Sequence, residues 1–219
     1  MSNFRYTRPD SFPPVIKNLI IINILVWIAQ LIYDKKDGLT YFLTNKIGLH
    51  AIGDPEFKPY QIATHMFAHS TYSYPQGNIQ FFHILFNMFG LYMFGRVLEN
   101  VWGPKKFLFF YLACGVGAAI AHLTMQYLMG GFSIAIGASG AVMGVFAAFA
   151  YLFPNTKLII LPIPIPIKAK WVALLYACYD IFGGVGGSDS VAHFAHLGGA
   201  LTGFLIVLYW NKTNRKTLY

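Results

Sequence analysis

Charged residues are scarce in this chain. They make up 11% of its 219 residues, and only eight of them are acidic. A soluble domain usually carries about 25% charged residues, whereas this chain is 56% hydrophobic and has a mean hydropathy of +0.52. The shortage of charge excludes an ordinary soluble domain. Several nearly uncharged stretches approach the ~20 residues that a membrane-spanning helix needs, so the sequence predicts an all-α polytopic membrane protein.

Cysteine is equally scarce, since the chain contains only Cys114 and Cys178. Both lie inside apolar stretches, where a free cysteine acts as a small hydrophobic residue. We therefore interpret them as core residues and expect no disulfide.

Six apolar stretches predict six spanning helices. They cover residues 15–33, 79–98, 107–129, 138–153, 170–182 and 191–210. Together they define one membrane domain over residues 15–210, with a polar segment at 1–14 before it and a basic tail at 211–219 after it. Residues 34–78 are too polar to span but rich in aromatic and aliphatic side chains, so we expect part of this loop to lie at the membrane surface. Alternating prolines over residues 161–167 predict an extended loop.

The lysines and arginines predict the orientation of these spans. With the N-terminus inside, four of the 16 fall on the outer side, namely Lys35, Lys36, Lys46 and Lys58, and the other twelve fall on the inner side. Positive charges are enriched in cytoplasmic loops. We therefore expect a multi-pass protein of the cell (plasma or inner) membrane with both termini cytoplasmic. The net charge of +8 is then explained without a nucleic-acid partner.

Polar side chains from three predicted spans fall at one depth. The fourth span has about 16 residues and a length of ~24 Å, less than the ~30 Å of the hydrocarbon core. Ser139, at its start, is therefore expected below the outer surface. By the same rise per residue, His196 lies ~8 Å deep, His83 ~6 Å and Asn87 ~12 Å. Polar groups inside a membrane are costly, and they indicate function.

The chemistry that this set allows is acyl transfer. Serine is a weak nucleophile that needs a neighbouring base, and imidazole titrates near neutral pH, so Ser139 and His196 would form that pair. The Ser139 backbone N–H lies near a helix N-terminus. With the side chains of His83 and Asn87, it would supply donors for an oxyanion. Two simpler interpretations stay open, namely that Ser139 is a helix N-cap and that the polar set only joins packed helices.

Glycine pairs predict that the fourth and sixth spans pack closely. Gly140 and Gly144 lie four residues apart in one span, and Gly199 and Gly203 do so in the other. Such pairs let helix backbones approach each other. Gly137 belongs to the small-residue turn that leads into the fourth span.

A second glycine-rich stretch covers residues 183–190. It follows no strand and lacks the Gly-Lys-Ser ending of a phosphate-binding loop. Because glycine places few limits on the backbone, we interpret the stretch as a mobile lid above His196 that moves with the outer half of the fifth span to admit substrate.

Three short motifs together resemble the rhomboid family of intramembrane serine proteases. They are Gly137-Ala138-Ser139-Gly140, Ala195-His196-Leu197-Gly198-Gly199 with Gly203, and His83-Ile84-Leu85-Phe86-Asn87. The resemblance covers most of the chain, from the first predicted span to the sixth. It implies a six-helix rhomboid-type bundle whose long first outer loop, ending near 59–65, is partly embedded in the membrane.

The resemblance also implies roles for single residues. Ser139 would be the nucleophile and His196 the general base, acting as a dyad without an acid, while His83 and Asn87 help to bind the oxyanion. Substrates would be single-span membrane proteins, cut near the outer ends of their helices after a small residue, with no cofactor and no metal. Glu99 would belong to a packing motif at the inner end of the second span.

Two features depart from the family's pattern. The interval between His69 and His83 is longer than is usual, which leaves the role of His69 undetermined. Met143 stands one turn after Ser139, where relatives often carry an aromatic that packs on the catalytic histidine.

Other interpretations remain for the polar residues. His65 and His69 are four apart, and His193 and His196 are three apart, so either pair could bind zinc. The first pair, however, lacks the glutamate of the His-Glu-x-x-His motif, and we interpret His193 as lining the site. Asp180 is a candidate third member of a triad, although we favour an interfacial or structural role. A catalytically silent relative and a small transporter are the alternatives from other functional classes.

Overall fold

The computed structural model describes residues 9–34, 41–73, 76–130, 133–160, 163–186 and 190–213. Its helices are α1 (Pro14–Tyr33), α2 (Phe42–Ile47), α3 (Gln61–Thr64), α4 (Phe81–Gly90), α5 (Arg96–Trp102), α6 (Pro104–Met129), α7 (Ser139–Leu152), α8 (Ala169–Gly186) and α9 (Ser190–Thr213). A 3₁₀ turn at His65–Phe67 follows α3, and a π-helical turn at Leu91–Gly95 joins α4 to α5. Strands β1 (Lys157–Ile160) and β2 (Ile163–Lys168) form an antiparallel pair. The prediction of a mostly helical protein is confirmed.

Several helices have the length and composition to cross a membrane. Within the described residues, four do so: Pro14–Tyr33, Phe81–Trp102, Pro104–Met129 and Ala192–Thr213. The apolar helix α7 is shorter, at 14 residues. The outward faces carry large apolar side chains that are more than half exposed, such as Leu25, Phe86, Phe109 and Leu205. So much exposed apolar surface is unusual in a protein surrounded by water, and it is the surface that lipid tails favour.

The N-terminal end of α1 is hydrogen-bonded to α5. α1 begins at Pro14, whose fixed φ suits the first helical position. The next two backbone N–H groups, of Val15 and Ile16, donate to the two carboxylate oxygens of Glu99 at 2.9 and 2.8 Å. Glu99 is buried. Its negative charge satisfies the free donors of the helix N-terminus, so this carboxylate joins α5 to α1.

Helix α7 forms the centre of the bundle and packs against α6 and α9. It is apolar around its whole circumference, as expected of a buried helix. Most of its residues are buried, including Ala141, Val142, Val145 and Phe149. Its 14 residues span only ~21 Å, so its N-terminal end lies within the bundle.

The loop between α1 and α4 is held on the bundle by buried polar side chains. The Asp34 carboxylate accepts hydrogen bonds from the Leu43 backbone N–H and the Thr44 hydroxyl. Gln30 donates to the His69 backbone carbonyl and accepts from its N–H. These bonds satisfy groups that would be costly to bury unpaired, and they position the loop beside α4.

Residues 163–167 of the proline-rich segment are extended as predicted, but they belong to a two-stranded antiparallel sheet and not to a loop. Residues 161–162 lie outside the described part of the chain. Lys157 pairs with Lys168 and Ile159 with Pro166. Proline lacks a backbone N–H and is tolerated on an edge strand. Each strand of a two-stranded sheet has such an edge, so the alternating prolines do not prevent pairing.

The predicted glycine-rich loop is wrong for residues 183–186, which continue α8 as helix. Two close contacts explain the difference. A Cβ added at Gly183 would lie 2.5 Å from His193 Nε2, and one added at Gly184 would lie 2.9 Å from the Phe194 ring. The glycines thus let α8 pack directly against α9. Residues 187–189 of the predicted lid lie outside the described part of the chain.

Candidate active site

Ser139 is the first residue of α7 and follows a sharp turn. Gly137 has φ = +115°, a conformation that only glycine adopts without strain, and its N–H donates to the His65 carbonyl at 2.9 Å. Ala138 occupies the N-cap position, and no side chain caps the helix. The interpretation of Ser139 as an N-cap is therefore wrong, and its hydroxyl points elsewhere.

That hydroxyl contacts an imidazole on α9. Ser139 Oγ lies 2.9 Å from His196 Nε2, within the range of a good hydrogen bond. Both residues are partly exposed, at the wall of a cavity of about 330 Å³. The serine–histidine contact joins side chains that are 57 positions apart in the chain.

Glycine packing makes this contact possible. A Cβ on Gly199 would overlap the Gly140 carbonyl, and one on Gly203 would lie 2.5 Å from the Gly144 carbonyl oxygen. The α7 and α9 backbones therefore pass in direct contact at both predicted glycine pairs. This is the close approach that small residues permit between membrane helices.

His83 faces the turn before Ser139. A Cβ added at Gly137 would lie 3.0 Å from His83 Nε2. The Ser70 backbone N–H donates to His83 Nδ1 at 3.0 Å, so Nδ1 must be unprotonated. Because a neutral imidazole carries one proton, Nε2 bears it and presents an N–H donor toward the cavity.

His69 supports His83 from behind and does not line the cavity. The two rings pack with their centroids 5.2 Å apart, and His69 Nε2 lies 2.9 Å from Asn23 Oδ1. Burial lowers the pKa of His69 to about 3, so the ring is neutral near pH 7. Burial likewise lowers the pKa of His65, which does line the cavity, to about 4.

Asn87 is a predicted site residue that the structure places away from the cavity wall. Its side-chain amide donates to the His83 backbone carbonyl at 2.8 Å, one turn earlier on α4. It is buried and is not among the described residues that line the cavity. The structure thus brings Ser139, His83 and His196 together and places Asn87 one turn deeper on α4.

Asp180 and His193 lie directly behind His196. The sequence-based prediction gives both of them only secondary roles. Asp180, on α8, has its Oδ1 atom 3.3 Å from His196 Nδ1 and 2.8 Å from His193 Nδ1. Its side chain is only 2% exposed. The three-residue spacing of His193 and His196 on one helix is the sequence signal for part of this cluster. His122, on α6, is also buried and lines the cavity.

The same cluster could offer ligands to a metal ion. Asp180, His193 and His196 each present one ligand atom, and these atoms lie within 4.8 Å of one another. The two histidine–carboxylate separations of 2.8 and 3.3 Å are also those of hydrogen bonds, and His196 uses its other nitrogen for Ser139. Direct hydrogen bonding therefore accounts for the arrangement.

The fold and the site define a class. This is a helical membrane protein with the serine–histidine contact that serine hydrolases use to activate a nucleophile. Residues 56–212 match the family model described as "Rhomboid domain". The match covers well over half of the chain, so the chain belongs to the rhomboid family, and the resemblance is confirmed.

Individual relatives agree with this assignment. "Rhomboid protein 1, mitochondrial" of Saccharomyces cerevisiae is 32% identical over 140 residues, which are 63% of this chain and 40% of the yeast protein. Human "Presenilin-associated rhomboid-like protein, mitochondrial" is 33% identical over 129 residues, covering 58% of this chain and 34% of its own length. "Rhomboid protease AarA" of Providencia stuartii is 27% identical over 210 residues, covering 86% of this chain and 69% of its own. The chain thus spans less than half of the length of these two mitochondrial relatives.

Proposed function

We propose that this chain is a rhomboid-type serine endopeptidase. It hydrolyses peptide bonds in transmembrane segments of membrane proteins near the extracytoplasmic face. The observation that carries the proposal is the 2.9 Å contact between Ser139 Oγ and His196 Nε2 at a cavity within a bundle of apolar helices. A relative that is named a rhomboid protease and shares 27% identity over most of this chain supports it.

The reaction follows from the protons at the two side chains. The Ser139 hydroxyl gives its proton to His196 Nε2 while Oγ attacks the scissile carbonyl carbon. His196 then protonates the leaving amine, which departs and leaves an acyl ester on Ser139. A water molecule, deprotonated by His196, then attacks the ester carbonyl. The bond to Ser139 Oγ breaks, His196 returns the proton to Oγ, and the carboxylic acid product leaves.

The tetrahedral intermediate needs donors for its oxyanion. We assign this role to the Ser139 backbone N–H, at the positive end of α7, and to His83 Nε2–H. The contact between Ser70 N–H and His83 Nδ1 supports the second donor, since it leaves the proton on Nε2. Asn87 has a second amide hydrogen besides the one bonded to His83 O, and we assign it a supporting part.

Water must reach a site that lies within the bundle. The cavity carries polar side chains besides the catalytic ones, among them Ser70, Ser133 and His65. A polar cavity of this size can hold several ordered waters, and these would supply the hydrolytic molecule. A substrate helix must unwind locally before attack, because its backbone carbonyls are engaged in helical hydrogen bonds.

The finer topology is also part of the proposal. We infer that α7 and α8 are the fourth and fifth spans of a six-helix bundle, and that the first outer loop is partly embedded in the membrane. The distribution of lysine and arginine supports cytoplasmic termini in a cell membrane. The partners are lipid and single-span membrane proteins, with no nucleic acid and no cofactor. Labelling of single cysteines placed at each terminus with a membrane-impermeant thiol reagent tests the orientation.

Cleavage in proteoliposomes tests the activity. The purified protein is reconstituted with a single-span substrate that carries a tag at each end, and the products are sized by electrophoresis and mass spectrometry. We expect one cut near the outer end of the substrate helix and none with Ser139→Ala or His196→Ala. Equal cleavage by the wild type and Ser139→Ala would reject the proposal.

A further inference from the structure

A buried carboxylate stands behind the imidazole of the proposed base. Asp180 is 1% exposed, and its Oδ1 atom lies 3.3 Å from His196 Nδ1. On the other side of the same ring, His196 Nε2 lies 2.9 Å from Ser139 Oγ. The three side chains therefore form one continuous series of hydrogen-bonding atoms, from the hydroxyl through the imidazole to the carboxylate.

The direction of these hydrogen bonds follows from the available protons. Ser139 can donate to His196 only if Nε2 is unprotonated, and a neutral imidazole carries one proton. That proton is then on Nδ1, where Asp180 Oδ1 accepts it. The carboxylate thus selects the tautomer in which Nε2 is the base. It also stabilises the imidazolium that forms when Nε2 takes the serine proton.

His193 makes a second hydrogen bond to the carboxylate oxygen that His196 contacts. Its Nδ1 atom lies 2.8 Å from Asp180 Oδ1, and an oxygen with two lone pairs accepts both histidines. The His193 ring is fixed in turn, since it packs edge-on against Tyr179 at a centroid distance of 5.2 Å and closely against Gly183. This second donor offsets part of the cost of burying the carboxylate and keeps Oδ1 turned toward His196.

We propose that Asp180 is a positioning residue for His196 and that His193 holds the Asp180 carboxylate in place. The inference rests on the proposed function and adds a third, buried member to its serine–histidine pair. Asp180 contacts neither Ser139 nor the place where substrate would react, so it acts only through the His196 ring.

The wild-type protein provides the first test, because the proposal requires one tautomer of His196. Histidine labelled with ¹⁵N in its ring distinguishes Nδ1–H from Nε2–H in an NMR spectrum of the protein in bicelles. The seven histidines are assigned by comparison with single His→Gln variants. We expect Nδ1–H at His196. An Nε2–H tautomer there would overturn the proposal without any Asp180 variant.

Substitution of Asp180 provides the second test. Asp180→Asn keeps the shape and removes the charge, and we expect kcat to fall by roughly 10²- to 10⁴-fold, the larger value being that of a chymotrypsin-type protease without its carboxylate. KM should change little. Asp180→Glu keeps the charge and should have a higher kcat than Asp180→Asn. His193→Asn should have a kcat about tenfold below the wild type, because it loses one hydrogen bond to the carboxylate. The matched control is Asp54→Asn, which removes another carboxylate from a histidine contact, 3.2 Å from His50, and should leave kcat unchanged.

The outcomes separate this inference from the function on which it rests. If the wild type neither cleaves substrate nor reacts at Ser139, the proposed function fails. If the wild type cleaves through Ser139 and folded Asp180→Asn has the same kcat, only the positioning role fails. Should Asp180→Asn not fold, the His196 tautomer in the wild type and the kcat of His193→Asn decide the matter.

Discussion

The close approach of α7 and α9 can be tested at a position two helical turns away from the contact between Ser139 and His196. Gly203 lies seven residues after His196 on α9, ~10.5 Å along the helix. A Cβ added there would lie 2.5 Å from the Gly144 carbonyl oxygen and 2.8 Å from its Cα. An ordinary contact is 3.4 Å or longer. Gly203→Ala must therefore separate the two backbones by about 3.4 − 2.5 = 0.9 Å at this point, and Gly203→Val by more.

The effect on catalysis follows because α7 carries Ser139 and α9 carries His196. Part of the separation reaches the 2.9 Å contact between Ser139 Oγ and His196 Nε2, which has little room before it exceeds hydrogen-bond length. A displacement of ~1 Å from a remote change can cost about 10²-fold in rate. We expect Gly203→Ala to lower kcat between about 10- and 100-fold and to destabilise the fold by about 1–3 kcal/mol, as overpacking does. Gly203→Val should be worse on both counts.

The assay is kcat and KM for substrate cleavage in proteoliposomes, with folding checked by thermal unfolding. Leu201→Ala is the matched control, since Leu201 lies on the same helix and is 58% exposed. Its truncation adds no atoms between α7 and α9 and should leave kcat unchanged. A folded Gly203→Val enzyme with the wild-type kcat would show that glycine packing does not set the serine–histidine distance.

Three further predictions concern other parts of the structure. His83→Ala should lower kcat by about 10²- to 10³-fold with little change in KM, as the loss of one oxyanion donor does; a normal kcat would remove His83 from that role. Since burial lowers the pKa of His69 from 6.5 to about 3, the unfolded chain binds more protons than the folded one below pH 6.5. The free energy of unfolding should therefore fall as the pH drops from 6.5 toward 3, by roughly 1.4 kcal/mol per pH unit at most. The fall should be less steep in a folded His69→Gln variant. Parallel curves of melting temperature against pH for the wild type and this variant would contradict the prediction. Treatment with EDTA should leave kcat unchanged, whereas a loss reversed by zinc would assign a metal to Asp180, His193 and His196.

Local patterns predict the helical elements and the small-residue contacts, because these depend on short stretches of chain. Hydropathy marks the apolar segments, and glycines four residues apart indicate where backbones meet. The rise per residue also allows depths to be compared between spans, which is why the sequence alone groups Ser139, His83 and His196. Asn87 shares a face of α4 with His83, but spacing alone does not tell which partner its amide chooses, and it bonds the helix backbone.

The surroundings of His196 could not be predicted, because they depend on how α8 is rotated against α9. An aspartate near the outer end of an apolar stretch could equally face water, a loop or another helix. Only the packed structure turns Asp180 toward His193 and His196. The same packing converts the first part of a glycine-rich stretch into helix, since Gly183 fits beneath the His193 ring. Composition alone favours a loop there because glycine is a poor helix former.

The central claim is that Ser139 is a nucleophile activated by His196 within the membrane domain, and labelling with a fluorophosphonate probe tests it most directly. The probe forms a covalent bond only with an activated serine, and mass spectrometry locates the modified residue. The wild type should be labelled at Ser139, His196→Ala should be labelled far more slowly, and Ser139→Ala should not be labelled at all. Equal labelling of all three proteins, or labelling at another serine, would contradict the account.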